Sequence, residues 1–314
     1  MAPQRPIFNR PDIAEGRSPV GMAERPRELE DALNYHLYHP LAARIARGLA
    51  STPITPNMVS IVSGLCVVGA AIVYVQPGWP LTALLGLLLH MAWHVFDGAD
   101  GDLARLTGRS SAFGEIVDGV CDYASHIILY VVLAIFLQSQ IGPIAWLLAA
   151  ISGVSHIVQS NHFEVQRRQY QWWVYGVPWL RSMNDKSVGK SEAGEGRLAA
   201  FGAVYLWLAS RLTAGAGPID GAVEDAGHDQ RRLDQIRLVV RQEYLPLLPR
   251  LFILSSNHRT VVLGLSMLAG SPSYYFVYQA VVLNIVLVRS IGRFNLAMKR
   301  IDVQLHQMLP NTLR

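Results

Sequence analysis

Apolar residues run in long blocks along this chain, and the charged residues fall between the blocks. A membrane-spanning helix needs about 20 mostly apolar residues. Runs at 57–76, 80–104, 112–137, 141–162, 253–270 and 273–292 meet that requirement. The first opens at Thr55-Pro56-Asn57, where threonine can cap and proline can take the first helical position. Turns at Gln76-Pro77-Gly78, Gln138 to Pro143 and Gly270-Ser271-Pro272 join the runs in pairs, and none of these turns is charged. Segment 198–213 is apolar too, but it is short and carries Arg211. A seventh span there would carry a basic stretch, 167–197 or 231–250, across the membrane. The pattern predicts an all-α integral membrane protein, a six-transmembrane-helix bundle with interfacial and cytoplasmic helices.

The predicted organisation follows. Residues 1–56 form a cytoplasmic segment with an interfacial helix at 34–48, where Leu37, Leu41, Ile45 and Leu49 recur at helical spacing beside Arg44 and Arg47. Residues 57–162 form the first four spans. Residues 163–252 form a cytoplasmic or interfacial insert with amphipathic helices near 195–213 and 229–246, joined by a loose link from Gly215 to Gly227. Residues 253–314 supply the last two spans and a tail.

Composition sharpens this picture. Charged residues make up 16% and hydrophobic ones 51%, with a mean hydropathy of +0.25. A soluble domain carries about a quarter charged residues, so a disordered chain is excluded and a water-soluble globule is disfavoured. No Lys or Arg falls between Asn57 and Ala104, or between Thr260 and Val288. All 27 Lys and Arg lie on the side opposite the three uncharged turns or at its boundary. Short-loop cation bias sets orientation, which puts both termini in the cytoplasm, as in a bacterial-type inner membrane. The net charge of +4 and pI near 9.1 do not indicate nucleic acid, because the cations flank apolar runs and form no stripe with interleaved aromatics. Residues 1–30 are polar and rich in Pro and Arg, so no cleavable signal is expected. Cys66 and Cys121 fall inside apolar runs and read as small buried hydrophobes.

Chemistry concentrates where the second run meets the third. Six acids cluster there: Asp97, Asp100, Asp102, Glu115, Asp118 and Asp122. At 100° per residue, Asp100 lies about 60° from Asp97, Gly101 about 40° and Ala104 about 20°. On the next helix Gly114, Asp118 and Asp122 step by four along one face. A short turn lets the two faces oppose, bringing four carboxylates into one pocket. Such charges need compensation in a low-dielectric site, and an all-oxygen set suits Mg²⁺ or Mn²⁺. Asp102 projects about 140° from Asp97 and Glu115 about 100° off its face, toward headgroups or water. Gly101 and Gly114 leave room for a phosphate or nucleotide, and Arg105 can pair with phosphate oxygens.

Residues 97–122, DGADGDLARLTGRSSAFGEIVDGVCD, match the pattern D-x2-D-G-x2-A-R-x8-G-x3-D-x3-D at every specified position. This resembles the signature of the CDP-alcohol phosphotransferases (CDP-alcohol phosphatidyltransferases), membrane transferases of phospholipid biosynthesis. The resemblance extends to the six-span plan and the TPN start of the first span. It implies that Asp97, Asp100, Asp118 and Asp122 hold a metal centre of two Mg²⁺ or Mn²⁺ ions. Asp118 and Asp122 would be catalytic, with Asp122 the base for an acceptor hydroxyl. Gly101, Ala104, Arg105 and Gly114 would line the site of the CDP moiety. An alcohol would attack the CDP-linked phosphate, and CMP would leave. The donor would be CDP-diacylglycerol, or the CDP would ride on the small alcohol. The acceptor would be an alcohol or polyol, and homodimers are common in the family.

Other signals have plainer readings. His90 and His94 stand at i,i+4 on the face of Asp97, but no further zinc ligand follows at spacing, so packing explains them better. His126 and His156 read as core residues. Trp172, Trp173 and Trp179 read as an interfacial belt, with Arg167 and Arg168 as topology determinants. Arg259, near the start of the fifth run, is a candidate for binding a phosphate-bearing acceptor or the lipid phosphate. Two rival functions remain. An ion-coupled transporter would want midplane acids and repeated halves. A UbiA-like Mg-dependent prenyltransferase would carry its two acidic motifs in separate halves of the bundle.

Overall fold

The computed structural model describes residues 26–177 and 215–308; the amphipathic helix expected near 195–213, and Trp179, lie outside them. Among the described residues there are helices and turns but no strands. The helices are α1 (His39–Leu49), α2 (Pro56–Tyr74), α3 (Leu81–Thr107), α4 (Ala112–Ile141), α5 (Ile144–Tyr175), α6 (Gly217–Ala226), α7 (Gln230–Tyr244), α8 (Ser256–Leu268) and α9 (Ser273–Met308). The chain divides into two compact units. Of the described residues, one comprises 26–157 with 252–285, and the other 158–177, 215–251 and 286–308.

In the first unit, caps fix the helix starts. Thr55 accepts from the Met58 N–H at the head of α2, with Pro56 in the first turn. Ser111 accepts from the Gly114 N–H at the head of α4. Gly108, in the left-handed region (φ 65°), ends α3. Four residues therefore suffice to turn the chain between the two acid-bearing helices. Beneath them Val67, Ala71, Tyr74, Trp93, Leu129, Leu133, Leu263 and Phe276 share one apolar core.

Small residues decide the packing distances. Ala42 and Ala46 of α1 are fully buried against Val59, Ala99 and Leu103, and a Cβ built on Gly98 would lie 3.2 Å from that of Ala42. The large stripe expected to seat this helix is not its most buried face: Leu37 is exposed while Ala42 and Ala46 are sealed. Small side chains admit a closer approach of the two backbones than leucines would. Gly86 meets Tyr74 more tightly still, where an added Cβ would sit 2.5 Å from the ring. Tyr74 is buried and cannot swing away, so Gly86→Ala should destabilise by about 1–3 kcal/mol through overpacking. Thermal melting in detergent checks this, with wild-type stability the contrary result.

The outward face of this unit is apolar. Ile61, Leu65, Leu84, Leu88, Ile127, Ile135 and Leu265 are all exposed, a surface that fits lipid better than water. Among the described residues, four helices are long and apolar enough to cross a membrane: α2, α3, the 116–141 part of α4, and α9. A fifth is counted if Leu248–Leu254 and α8, bent by 48° at their junction, form one span. The chain is thus a multi-pass membrane protein. The remaining helix of the six-span reading, α5, falls short of that apolarity. The reason is visible in its inward face, where Ser152, Ser155, Gln159, Asn161 and His162 are buried, while Leu147, Ile151, Val154 and Ile157 face out.

The second unit packs the end of α5 with α6, α7 and the end of α9. Tyr244 stacks on Tyr170, meets Phe294 edge-on and donates to Gln166 Oε1 at 3.1 Å. Here two expectations are corrected. Trp172 and Trp173 are buried, and the Trp173 indole donates to Asp220 Oδ1 at 2.7 Å, so they are core residues and form no interfacial belt. The link from Gly215 to Gly227 is helical, because Pro218 suits a first turn and Ile219, Ala222, Val223 and Ala226 give an apolar stripe. The expected helix at 229–246 is α7, capped by Asp229 accepting from the N–H groups of Arg231 and Arg232.

Candidate metal centre

The motif residues occupy the end of α3 and the start of α4. Carboxylate oxygens of Asp97, Asp118 and Asp122 lie within 4.8 Å of one another. Asp97 and Asp122 are in contact, and Asp100 is in contact with Asp118. All four acids of the predicted faces therefore gather, with Asp118 against Asp100 and within 4.8 Å of Asp97 and Asp122. Among the described residues, the group able to hold a metal ion is all carboxylate. Hard oxygen donors of this kind are what Mg²⁺ and Mn²⁺ take.

Two hydrogen bonds brace the acids from outside. Ser60 of α2, buried, donates to Asp100 Oδ2 at 2.5 Å. The Trp93 indole N–H donates to Asp122 Oδ1 at 2.8 Å. Neither was singled out in the sequence. The signal for Trp93 was present, since it stands one turn before Asp97 on the same helix face. For Ser60 the only signal was a hydroxyl in an apolar run. Partners that orient a ligand typically contribute about 10–100-fold to metal affinity or activity. Were these acids to hold a cation, Ser60→Ala should weaken Mg²⁺ binding by about tenfold, and an unchanged metal titration would remove this role.

Asp102 departs from expectation. It is buried and ion-paired with Arg105, three residues on. An i,i+3 pair on one helix flank accounts for this, where headgroups or water had been expected. Arg105 folds back along the helix toward Gly101, as helical side chains do, and a Cβ on Gly101 would lie 3.4 Å from its Nη1. Gly114 faces the start of α2, where a Cβ would come within 3.3 Å of Asn57 Oδ1. Asn57 is thus a further rim residue, noted in the sequence only as part of a helix start. Ala104 is half-buried on the Asp97 side of α3. The Glu115 side chain lies outside the described groups.

The histidines pack below the acids. His94 Nε2 shares a 2.9 Å hydrogen bond with Thr260 Oγ1, and its ring stacks on Tyr38. His126 Nδ1 donates to the Asp122 carbonyl at 2.8 Å, and His156 Nδ1 shares a 3.0 Å bond with the Tyr130 hydroxyl. His90 is buried among the rings of Trp93, His94 and His126. Arg259 is 3% exposed and has Tyr130, Tyr275, Tyr278, His126 and His156 as its electrostatic neighbours. Its sequence neighbours are engaged as well: Asn257 Nδ2 donates to Asp31 Oδ2 at 2.7 Å, and His258 bonds the Tyr278 hydroxyl.

Residues 53–188 match the family model of the CDP-alcohol phosphatidyltransferases. Over that stretch the chain is similar to the CDP-alcohol phosphatidyltransferases. All four clustered acids lie inside the matched stretch, whereas Arg259 lies outside it. A protein of Dictyostelium discoideum, described as an uncharacterized CDP-alcohol phosphatidyltransferase class-I family protein 2, is 34% identical over 99 residues. That alignment covers 29% of this chain and 23% of the relative, so the chain spans less than a quarter of the relative's length.

Proposed function

We propose that this protein is a metal-dependent CDP-alcohol phosphotransferase. In this reading it moves a phosphatidyl group from CDP-diacylglycerol to a small alcohol or polyol and releases CMP. The convergence of Asp97, Asp100, Asp118 and Asp122 inside the matched domain carries it. Those four would hold two Mg²⁺ or Mn²⁺ ions. When bound, the ions supply neutralisation of the pyrophosphate and of the charge on departing CMP.

The chain's own residues do the rest. Gly101 and Gly114 leave the backbone open for the CDP moiety, with Ala104 completing that wall. Arg105, steadied by Asp102, presents its guanidinium to phosphate oxygens. Asp122 accepts the proton of the acceptor hydroxyl, whose oxygen bonds to phosphorus as the bond to CMP breaks. Orientation of that hydroxyl is as much a part of its role as basicity, since a carboxylate beside cations is a weak base. Arg259 would hold a phosphate of the acceptor or lipid.

This reading places six spans in the membrane, α5 among them, with both termini and the centre on the cytoplasmic side of a bacterial-type inner membrane. The helix α1 would lie in the interface, and two copies would associate as a dimer. A transporter or a UbiA-like prenyltransferase is less consistent with the matched domain. Mass analysis of the lipid formed from CDP-diacylglycerol, with glycerol 3-phosphate, inositol, inositol phosphate or serine, tests the substrate class. One acceptor should yield one new lipid. A product only from diacylglycerol with CDP-choline would reverse the arrangement of donor and acceptor.

A further inference from the structure

Trp93 is the buried group best placed to act on the acidic centre without belonging to it. Its indole N–H reaches Asp122 Oδ1 at 2.8 Å, and the residue is 5% exposed. The indole is itself held on two sides. The His94 ring lies 4.2 Å away and the His126 ring 4.6 Å away, centroid to centroid. His94 is pinned by Thr260 of α8 and by the stacked Tyr38, while His126 is tied to the Asp122 carbonyl. Few rotations of the indole are compatible with those contacts, so its donor stays aimed at one carboxylate oxygen.

A carboxylate turns freely about its last bond when nothing holds it, and a turning ligand loses affinity for its ion. We infer that Trp93 is a positioning residue that fixes the rotation of the Asp122 carboxylate at the centre formed with Asp97 and Asp118. The inference rests on the reading of these acids as a divalent-cation site. It assigns Trp93 no contact with substrate. The indole acts through Asp122 alone.

The test uses Mn²⁺ alone, with its affinity for the purified full-length protein in detergent read by electron paramagnetic resonance. Trp93→Phe keeps a ring between the histidines and removes the N–H. It should weaken Mn²⁺ about tenfold, within the range that orienting partners contribute. Trp79→Phe removes an indole hydrogen bond to the Leu268 carbonyl outside the acidic centre and should leave Mn²⁺ affinity within about twofold. Because Trp93 acts through Asp122, adding Trp93→Phe to Asp122→Ala, which removes the acceptor, should cost nothing further, a pattern that lost packing would not produce. Should Trp93→Phe fail to fold, benzothienylalanine at position 93 preserves the shape of the ring system and lacks the N–H. Wild-type Mn²⁺ affinity in either variant, or full additivity with Asp122→Ala, overturns the inference while leaving the metal centre standing. Absence of Mn²⁺ binding by the wild-type protein overturns the centre itself, and the inference falls with it.

Discussion

Asp118→Asn is expected to reduce CMP release at least about a hundredfold while the protein still inserts and purifies. The magnitude follows from position. Asp118 belongs to the group with Asp97 and Asp122 and also touches Asp100, so it links all four acids. Outer partners of a metal site already contribute about 10–100-fold, and a direct ligand should contribute no less. Asparagine keeps the shape and one oxygen but loses the charge that holds a cation. The same substitution relieves repulsion among crowded carboxylates. In metal-free buffer the variant should therefore melt at or above the wild-type temperature. Loss of activity accompanied by a lower melting temperature would point to misfolding, and wild-type activity would remove the metal-site claim.

Chelation should be nearly as severe and fully reversible. EDTA is expected to abolish turnover, and Mg²⁺ or Mn²⁺ to restore it. Zn²⁺ alone should not, because zinc sites favour nitrogen and sulfur donors in tetrahedral geometry and the clustered donors here are carboxylates. A titration of each metal into the stripped enzyme, read as CMP released, checks this. Restoration by Zn²⁺ alone, or full activity in EDTA, would contradict the account.

The converging acids were legible because two rules sufficed. Spacing along a helix put Asp97 with Asp100 and Asp118 with Asp122, and a short turn let those faces oppose. The apolar runs were legible for a related reason, since a membrane imposes length and composition on each span. What escaped depended on partners far away in sequence. Trp173 looked like a belt residue until Asp220 was seen beneath it. Asp102 looked solvent-facing because helical angle says nothing about what covers the far flank. Ser60 and Trp93 are ordinary residues in apolar runs, and only the third dimension brings them to Asp100 and Asp122. The helix α6 is a different case, because its proline start and apolar stripe were readable and were outweighed by the glycines at either end.

The most direct test of the central claim is CMP release by the purified protein given CDP-diacylglycerol, Mg²⁺ and the acceptor panel. The account predicts release with one acceptor, dependent on the metal and lost in Asp118→Asn. If CMP release occurred with acceptor and metal but persisted undiminished in Asp118→Asn, the clustered aspartates would not be the centre of the reaction.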